Sequence, residues 1–233
     1  MNAPRPGFVV GDGRRAKALK IRTVLEEARC GDISGLDLLD VGTGTGGIAH
    51  VLAETCNVVS VDPCDQRGAR DGYRFLRAGT ALPFRDASFD LAVSNHVIEH
   101  LGDAALHLRE LSRVLRPGGL AYLATPNRLW PFEVHYRLWL LHWLPAPLFE
   151  RALRRLGRFS EPLQLLGLRR LRMLCAPRFT VEDFAPRILR EPLRYHLGVS
   201  PQAARLLRAI PLPVYRALAD LAPTLIVVLR RPG

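Results

Sequence analysis

Lysine is almost missing from this 233-residue chain: of its 33 basic residues only Lys17 and Lys20 are lysines, and the rest are arginines. Such a bias reflects genome composition as readily as function. Cysteine is scarce too. The four at positions 30, 56, 64 and 175 form no Cys-x-x-Cys pair and have no histidines at zinc spacing, which argues against a disulfide scaffold or a zinc ribbon. Free thiols in a reducing compartment fit better. No window approaches the roughly 18 apolar residues of a membrane-spanning helix, and residues 1–17 lack the continuous apolar core of a secretory signal. The expectation is a cytoplasmic protein. Tandem repeats and low-complexity tracts are also absent. A hydrophobic content of 48% over this length is enough for a sizeable core and excludes disorder for most of the chain.

Acidic residues are unevenly spread. Residues 1–128 carry 16 basic and 15 acidic groups, whereas residues 129–233 carry 17 basic and 7 acidic, so nearly all of the net +11 sits in the second half. Genome bias does not explain why the acidic partners thin out. The second half is therefore the better candidate for an anion-facing surface.

Apolar periodicity divides the first half into alternating elements. Residues 14–29 place Ala18, Ile21, Val24, Leu25 and Ala28 at helical spacing. Leu36–Val41 is a short apolar strand ending at a glycine cluster, and residues 48–53 resume helical period. Further strands are expected at 58–62, 73–78, 89–94 and 120–125, with a helix over 106–115 stopped by Pro117-Gly118-Gly119. Beyond Asn127 the spacing predicts arginine-rich helices near 147–158 and 163–174. Another helix is expected to start at Thr180, with Glu182 and Asp183 in its first turn, and a proline-broken helical stretch spans 202–221. Leu225–Leu229 reads as a buried final strand. Alternation at this spacing implies a doubly wound, mostly parallel α/β sheet. A single domain follows: a core over 14–128, a helical cap over 129–222 inserted before the last strand, and that strand at 223–230.

Asp40-Val41-Gly42-Thr43-Gly44-Thr45-Gly46-Gly47 lies where the first strand hands over to a helix, the edge at which open α/β sheets bind ligands. Gly42, Gly44 and Gly47 also satisfy the G-x-G-x-x-G of nicotinamide and flavin enzymes, so the glycines alone do not select a cofactor. Asp40 does. A carboxylate there would repel a pyrophosphate but suits a cofactor with an ammonium group and no phosphate. Asp62, 20 residues after Gly42 at the end of the second strand, can accept hydrogen bonds from two ribose hydroxyls.

With these features the chain resembles the class I S-adenosylmethionine-dependent methyltransferases, in the group marked by an LPF…SFD segment. The resemblance is carried by LLDVGTGTGGIA at 38–49, VVSVD at 58–62, LPFRDASFDLAVSNHVIEHL at 82–101 and LRELSRVLRPGGLAYLATPN at 108–127. It implies the Rossmann-like methyltransferase fold, S-adenosylmethionine as cofactor, and contacts to it from Asp40, Gly42, Thr43, Gly44, Asp62 and Asn95. Many relatives receive the adenine amino group on an acidic residue after the third strand, where this chain reads Ala78-Gly79-Thr80-Ala81. Adenine is then left to Gly79, Thr80 and Ala81. The stretch 63–72 is short and glycine-broken, so the helix usual there is expected to shrink to a turn.

Methyl transfer from a sulfonium needs alignment and sometimes a base, and no metal is expected. His96 follows the fourth strand. Glu133 and His135, two apart, would share one side of an extended segment, and with His96 they are the candidate catalytic residues. Glu99 and His100 are assigned structural roles and His142 a packing role. Glu133 with His135 looks like a metal-ligand pair, but no third ligand is evident from the sequence. Residues 129–174 are aromatic and leucine-rich, with Arg151, Arg154, Arg155 and Arg158 on one face of a helix; they are expected to form the acceptor site. The reading is methyl transfer, leaning to oxygen, onto a small-molecule or lipid-linked acceptor, with peripheral contact to an anionic membrane. Nucleic acid is disfavoured because Thr125-Pro126-Asn127-Arg128 is not an acid-Pro-Pro-aromatic catalytic string. A catalytically silent S-adenosylmethionine-binding protein and a nicotinamide oxidoreductase are the alternatives.

Overall fold

Seven strands hydrogen-bond into one sheet, in the order Arg74–Arg77, Asn57–Asp62, Asp37–Val41, Phe89–Asn95, Leu115–Pro126, Thr224–Arg230 and Thr180–Asp183. The computed structural model describes residues 12–68, 72–133, 135–160 and 162–233. In chain order the elements of the first half are α1 (Asp12–Arg29), β1 (Asp37–Val41), α2 (Gly47–Leu52), β2 (Asn57–Asp62), β3 (Arg74–Arg77), β4 (Phe89–Asn95), α3 (Ala104–Val114) and β5 (Leu115–Pro126). A two-stranded hairpin follows, β6 (Phe132–Glu133) and β7 (Leu138–Trp139), then α4 (Ala146–Arg155) and α5 (Leu168–Cys175). The chain closes with β8 (Thr180–Asp183), α6 (Ala185–Arg190), α7 (Pro201–Ala209), α8 (Leu212–Ala217) and β9 (Thr224–Arg230).

Strands β1 to β5 are parallel, and β9 inserts antiparallel between β5 and β8. Alternate strand residues feed two cores. Leu38, Val58, Leu91, Val93 and Tyr122 pack beneath α1, whose Ala18, Ile21, Val24 and Leu25 are fully buried. Leu39, Val61, Ala92, Ala121 and Leu123 pack on the other face with Leu108 and Leu111 of α3 and Leu168 and Leu171 of α5. Burial on both faces is why these strands read as continuous apolar runs. Arg116 ties the opposite edge together by donating to Asp37 of β1 and Asp90 of β4. Successive strands leave β1 in both directions, toward β2 and toward β4. The crevice beyond the carboxyl ends of β1 and β4 is thus the switch point at which such sheets hold ligands.

Several expectations change. Thr180 does not cap a helix: Thr180–Asp183 form edge strand β8, paired with Arg230 to Val227 of β9. Pairing with β9 overrides the local capping signal, and the Asp183 side chain instead accepts from the Ala185 N–H at 3.1 Å in a turn ahead of the next helix. The span 129–222 is therefore not one helical cap, because β8 divides it into an excursion before the sheet and a helical crossover after it. The helix expected at 163–174 begins only at Leu168. Ahead of it the backbone is committed elsewhere, with the Gln164 N–H donating to the Glu99 carbonyl at 2.8 Å and the Leu166 carbonyl accepting from Arg128 at 3.0 Å. Strand β5 starts at Leu115, and Pro117-Gly118-Gly119 forms an irregularity within it, Gly118 having φ +77°. Of the stretch 63–72, residues 69–71 lie outside those described, as do residues 1–11. Among the described residues no helix is long and apolar enough to cross a membrane.

Candidate active site

Asp40 occupies the second-last position of β1 and is 3% exposed. Its Oδ2 is buried without a hydrogen-bond partner. Burial pushes the carboxyl up to about 6, against the pull of the Thr43 hydroxyl, and Asp62 adds to the rise. A buried carboxylate oxygen lacking a donor fits an ammonium ligand, as the cofactor's amino acid end would supply. Gly42 (φ +73°) and Gly44 (φ +52°) turn the chain through left-handed backbone. A Cβ at Gly42 would lie 2.4 Å from Val97 Cγ2, so this glycine permits the loop to touch the segment after β4. At Gly44 a Cβ would meet no protein atom within 4 Å, so that glycine opens on free space.

Asp62, half-buried at the end of β2, organises the loop: its Oδ2 accepts from the Gly44 N–H at 3.0 Å and its Oδ1 from the Cys64 N–H at 2.9 Å. Each oxygen keeps a second lone pair for a hydroxyl. Gly79, Thr80 and Ala81 follow β3 on the same edge, where the Ala78 N–H donates to the Asp62 carbonyl at 3.2 Å. Gly79 and Ala81 are exposed, Thr80 is half-buried, and Asn95 ends β4 on this edge, also half-buried. The LPF segment is held from beneath by α3. Arg113 donates to the carbonyls of Leu82 (2.9 Å) and Phe84 (2.7 Å) and to Asp86, while Glu110 accepts from the Leu82 N–H at 2.9 Å. Hydrogen bonding to Arg113 holds the Glu110 carboxyl down at about 2.

The candidate catalytic residues converge from two segments, the one after β4 and the one around β6. His96, at φ +58°, lies directly after β4, and its Nδ1 is 3.1 Å from Glu99 Oε1. Glu99 is fully buried, and its Oε2 accepts from the Thr125 hydroxyl of β5 at 3.0 Å. His135 Nε2 lies 4.0 Å from Glu99 Oε1, and its Nδ1 is 2.8 Å from Glu133 Oε1. Glu133 and His135 do share a side, but through a turn and not an extended segment. Glu133 Oε1 accepts from the His135 N–H at 2.9 Å and Oε2 from the Tyr136 N–H at 2.6 Å. Burial opposes the charge on Glu133, yet these donors outweigh it and hold the carboxyl below its ordinary range. Glu99, assigned a structural role from sequence, is the hub of this cluster: its carboxylate lies between His96 and His135, with Glu133 on the other side of His135. Its partner Thr125 was missed; only its place at the end of an apolar strand could have signalled it. His142 is buried with its Nε2 3.1 Å from the Arg128 carbonyl, in keeping with packing.

The excursion over 129–179 begins at Asn127, a buried clamp whose side-chain amide donates to the carbonyls of Asp220 (2.8 Å) and Ala222 (2.7 Å). Beyond it, Tyr136, Phe149 and Leu153 form a small core. Trp139 (68% exposed), Leu140, Trp143, Leu148 and Leu156 (56%) remain outside it. The apolar face of α4 is thus split, with Phe149 and Leu153 inward and Leu148 and Leu156 outward. The arginines at 151, 154, 155 and 158 are all exposed, but Arg154 stacks 3.8 Å over the Phe159 ring and Arg158, just past the helix, donates to the Tyr136 carbonyl.

The sheet order, the glycine loop fronted by a carboxylate and the acidic end of β2 define a Rossmann-like methyltransferase fold. Residues 39–123 match the model of a methyltransferase domain. A methyltransferase of Mycolicibacterium smegmatis described as S-adenosylmethionine-dependent is 38% identical over 103 residues, covering 41% of this chain and 40% of its own length. The ubiquinone biosynthesis O-methyltransferase of Azorhizobium caulinodans is 31% identical over 150 residues, covering 57% and 56%. The crystal structure of an S-adenosylmethionine-dependent methyltransferase from Mesorhizobium loti superposes with a TM-score of 0.58 at 20% identity, covering 88% of this chain and 95% of that one. The chain spans about half the length of the curated relatives it matches. Residues 39–123 are thus similar to a methyltransferase domain, on the Rossmann-like fold of the S-adenosylmethionine-dependent methyltransferases.

Proposed function

We propose that the protein transfers a methyl group from S-adenosylmethionine to a hydroxyl of a small-molecule or lipid-linked acceptor. The observation that carries this reading is the meeting of two half-sites: the Asp40–Asp62 cofactor loop touches the segment after β4 through Gly42 and Val97, one residue from His96. When bound, the cofactor supplies an electrophilic methyl: the acceptor oxygen bonds to the methyl carbon as the carbon–sulfur bond breaks, and sulfur keeps the electron pair as a neutral thioether. Asp40 would face the ammonium group and Asp62 the ribose hydroxyls. Gly79 to Ala81 would receive the adenine through backbone groups and the Thr80 hydroxyl. His135, oriented by Glu133, would take the acceptor proton, and the Glu133 carboxylate would stabilise the resulting imidazolium.

Oxygen is favoured because a base beside the site is useful chiefly for a hydroxyl, and the similarity to an O-methyltransferase points the same way. An apolar acceptor body is favoured by the exposed shelf of Trp139, Leu140, Trp143 and Leu148, and Arg151 and Arg155 beside it suit an anionic surface carrying such an acceptor. The test is incorporation of labelled methyl from S-adenosylmethionine into fractionated extracts. Label in a lipid or small-molecule fraction supports the reading, and label confined to protein or nucleic acid refutes it. Sedimentation with anionic vesicles tests the membrane contact. Binding that falls on replacing Arg151 and Arg155 by Gln, and weakens as added salt shortens the screening length from about 10 Å at 0.1 M to about 3 Å at 1 M, supports it. No binding refutes it.

A further inference from the structure

We propose that His96, Glu99 and His135 form a binding site for one divalent transition-metal ion beside the cofactor loop. One ligand atom from each residue lies within 4.8 Å of the others. Two of these separations are 3.1 Å (His96 Nδ1 to Glu99 Oε1) and 4.0 Å (His135 Nε2 to Glu99 Oε1). Ligands held at about 2.0–2.2 Å from an ion sit roughly 3–3.6 Å apart, so small movements of the two imidazoles would complete the set. Both rings are partly exposed, His96 by 30% and His135 by 26%, the latter edge-on to the His100 ring at 5.2 Å, while Glu99 is fully buried. Two imidazoles and one carboxylate suit zinc, iron(II) or manganese, and the solvent-facing side of the cluster leaves coordination positions for water or an acceptor.

Two further observations point to a ligand. First, the supporting contacts are those a metal centre uses. Glu133 fixes the Nδ1 side of His135, which directs Nε2 toward Glu99, and the Thr125 hydroxyl fixes the remaining Glu99 oxygen. Second, His96 holds left-handed backbone at φ +58°, a conformation costly for a residue with a Cβ, in order to reach this cluster. Its N–H donates to the Ala124 carbonyl at 2.8 Å, which pins that backbone between β4 and β5.

The consequence for catalysis rests on the methyl-transfer reading above. An ion here would bind the acceptor hydroxyl and acidify it, and its proton would pass to solvent water; His135 would then be a ligand and not the base. This runs against the metal-free transfer expected from the sequence.

Titration of the metal-stripped full-length protein with cobalt(II), followed by its visible absorption and by calorimetry, tests the site. One ion per chain is expected, competed by zinc. Glu99→Gln and His135→Gln should abolish the cobalt spectrum. Glu133→Gln, which lies on the Nδ1 side of His135 and away from the ligand atoms, should weaken binding about 10–100-fold. Because Glu99 is buried, His96→Asn provides a variant at a partly exposed position whose residue tolerates left-handed backbone, and it too should lose the spectrum. No binding by the wild type, or binding undiminished in folded Glu99→Gln or His96→Asn protein, overturns the site. Affinity for S-adenosylhomocysteine, measured alongside, reports separately on the cofactor reading: a protein that binds cobalt but no S-adenosylhomocysteine sinks methyl transfer and leaves the metal site standing.

Discussion

Lowering the pH should release the cofactor through one carboxyl group. Asp40 is buried, has an oxygen without a donor, and titrates at about 6 where an unburied aspartate would titrate at 3.8. Ionising it in the empty site is thus about 3 kcal/mol harder than ionising an unburied aspartate. A ligand whose ammonium faces it must find it ionised. About nine-tenths of the protein meets that condition at pH 7 and about one-tenth at pH 5, so affinity for S-adenosylhomocysteine should fall roughly tenfold over that interval, or about 1.4 kcal/mol. Isothermal calorimetry at several pH values reads this directly, and a proton should be released on binding at the lower end. Asp40→Asn serves as the control for every other titrating group, because it retains shape and loses the charge. It should bind more weakly at pH 7 by about 1.5–3 kcal/mol and lose the slope. A wild type flat between pH 7 and 5, or an Asn variant with the same slope, would refute the assignment.

Asp62→Ala should weaken the same ligand by about 1–3 kcal/mol through loss of charge-assisted hydrogen bonds and of the Gly44 anchor, and unchanged calorimetric affinity would remove Asp62 from the site. Tyr122 is fully buried in β5 with a hydroxyl that has no partner, so Tyr122→Phe should stabilise the protein by about 1 kcal/mol in denaturant titration; a clear loss would reveal a hidden partner. Arg113→Ala removes the brace under the LPF segment and should cost about 2–3 kcal/mol, read from the urea midpoint. Glu110, depressed to about 2, contributes stability that is present above pH 4.5 and lost as the pH falls toward 2, so an Arg113→Ala variant should show a shallower acid transition there.

The cofactor half of the site was legible because its determinants are local. Asp40, Gly42 and Gly44 fall within five consecutive residues, and Asp62 is placed by a strand of strong β pattern. The departures arise where a distant segment claims the backbone. Thr180 carries a sound capping signal, but β9 offers it a ladder and the helix does not form. Residues 163–167 have helical periodicity, yet their amides and carbonyls are drawn to Glu99 and Arg128 before a first turn can close. The same long-range pairing hid the role of Glu99, since Thr125 lies 26 residues from it and His135 still further along the chain.

Two buried groups illustrate how the site and the core oppose each other in acid. Asp40, raised to about 6, contributes stability that is full below pH 3.8 and lost as the pH climbs through 6. His107, buried beside the Ser94 hydroxyl at 2.9 Å, is pushed by burial down to about 4; its contribution is full above pH 6.5 and lost as the pH drops toward 4. Each amounts to about 3 kcal/mol, of opposite sign, across nearly the same interval. The empty protein should therefore be almost indifferent to pH between about 4 and 6 as far as these two groups decide it. Bound cofactor, by supplying Asp40 with a cation, removes the first contribution and leaves the second. The complex, unlike the empty protein, should then lose stability as the pH falls through this range. Thermal melts with and without saturating S-adenosylhomocysteine should diverge toward neutral pH and converge toward pH 4, and parallel curves would show that Asp40 does not meet the ammonium group.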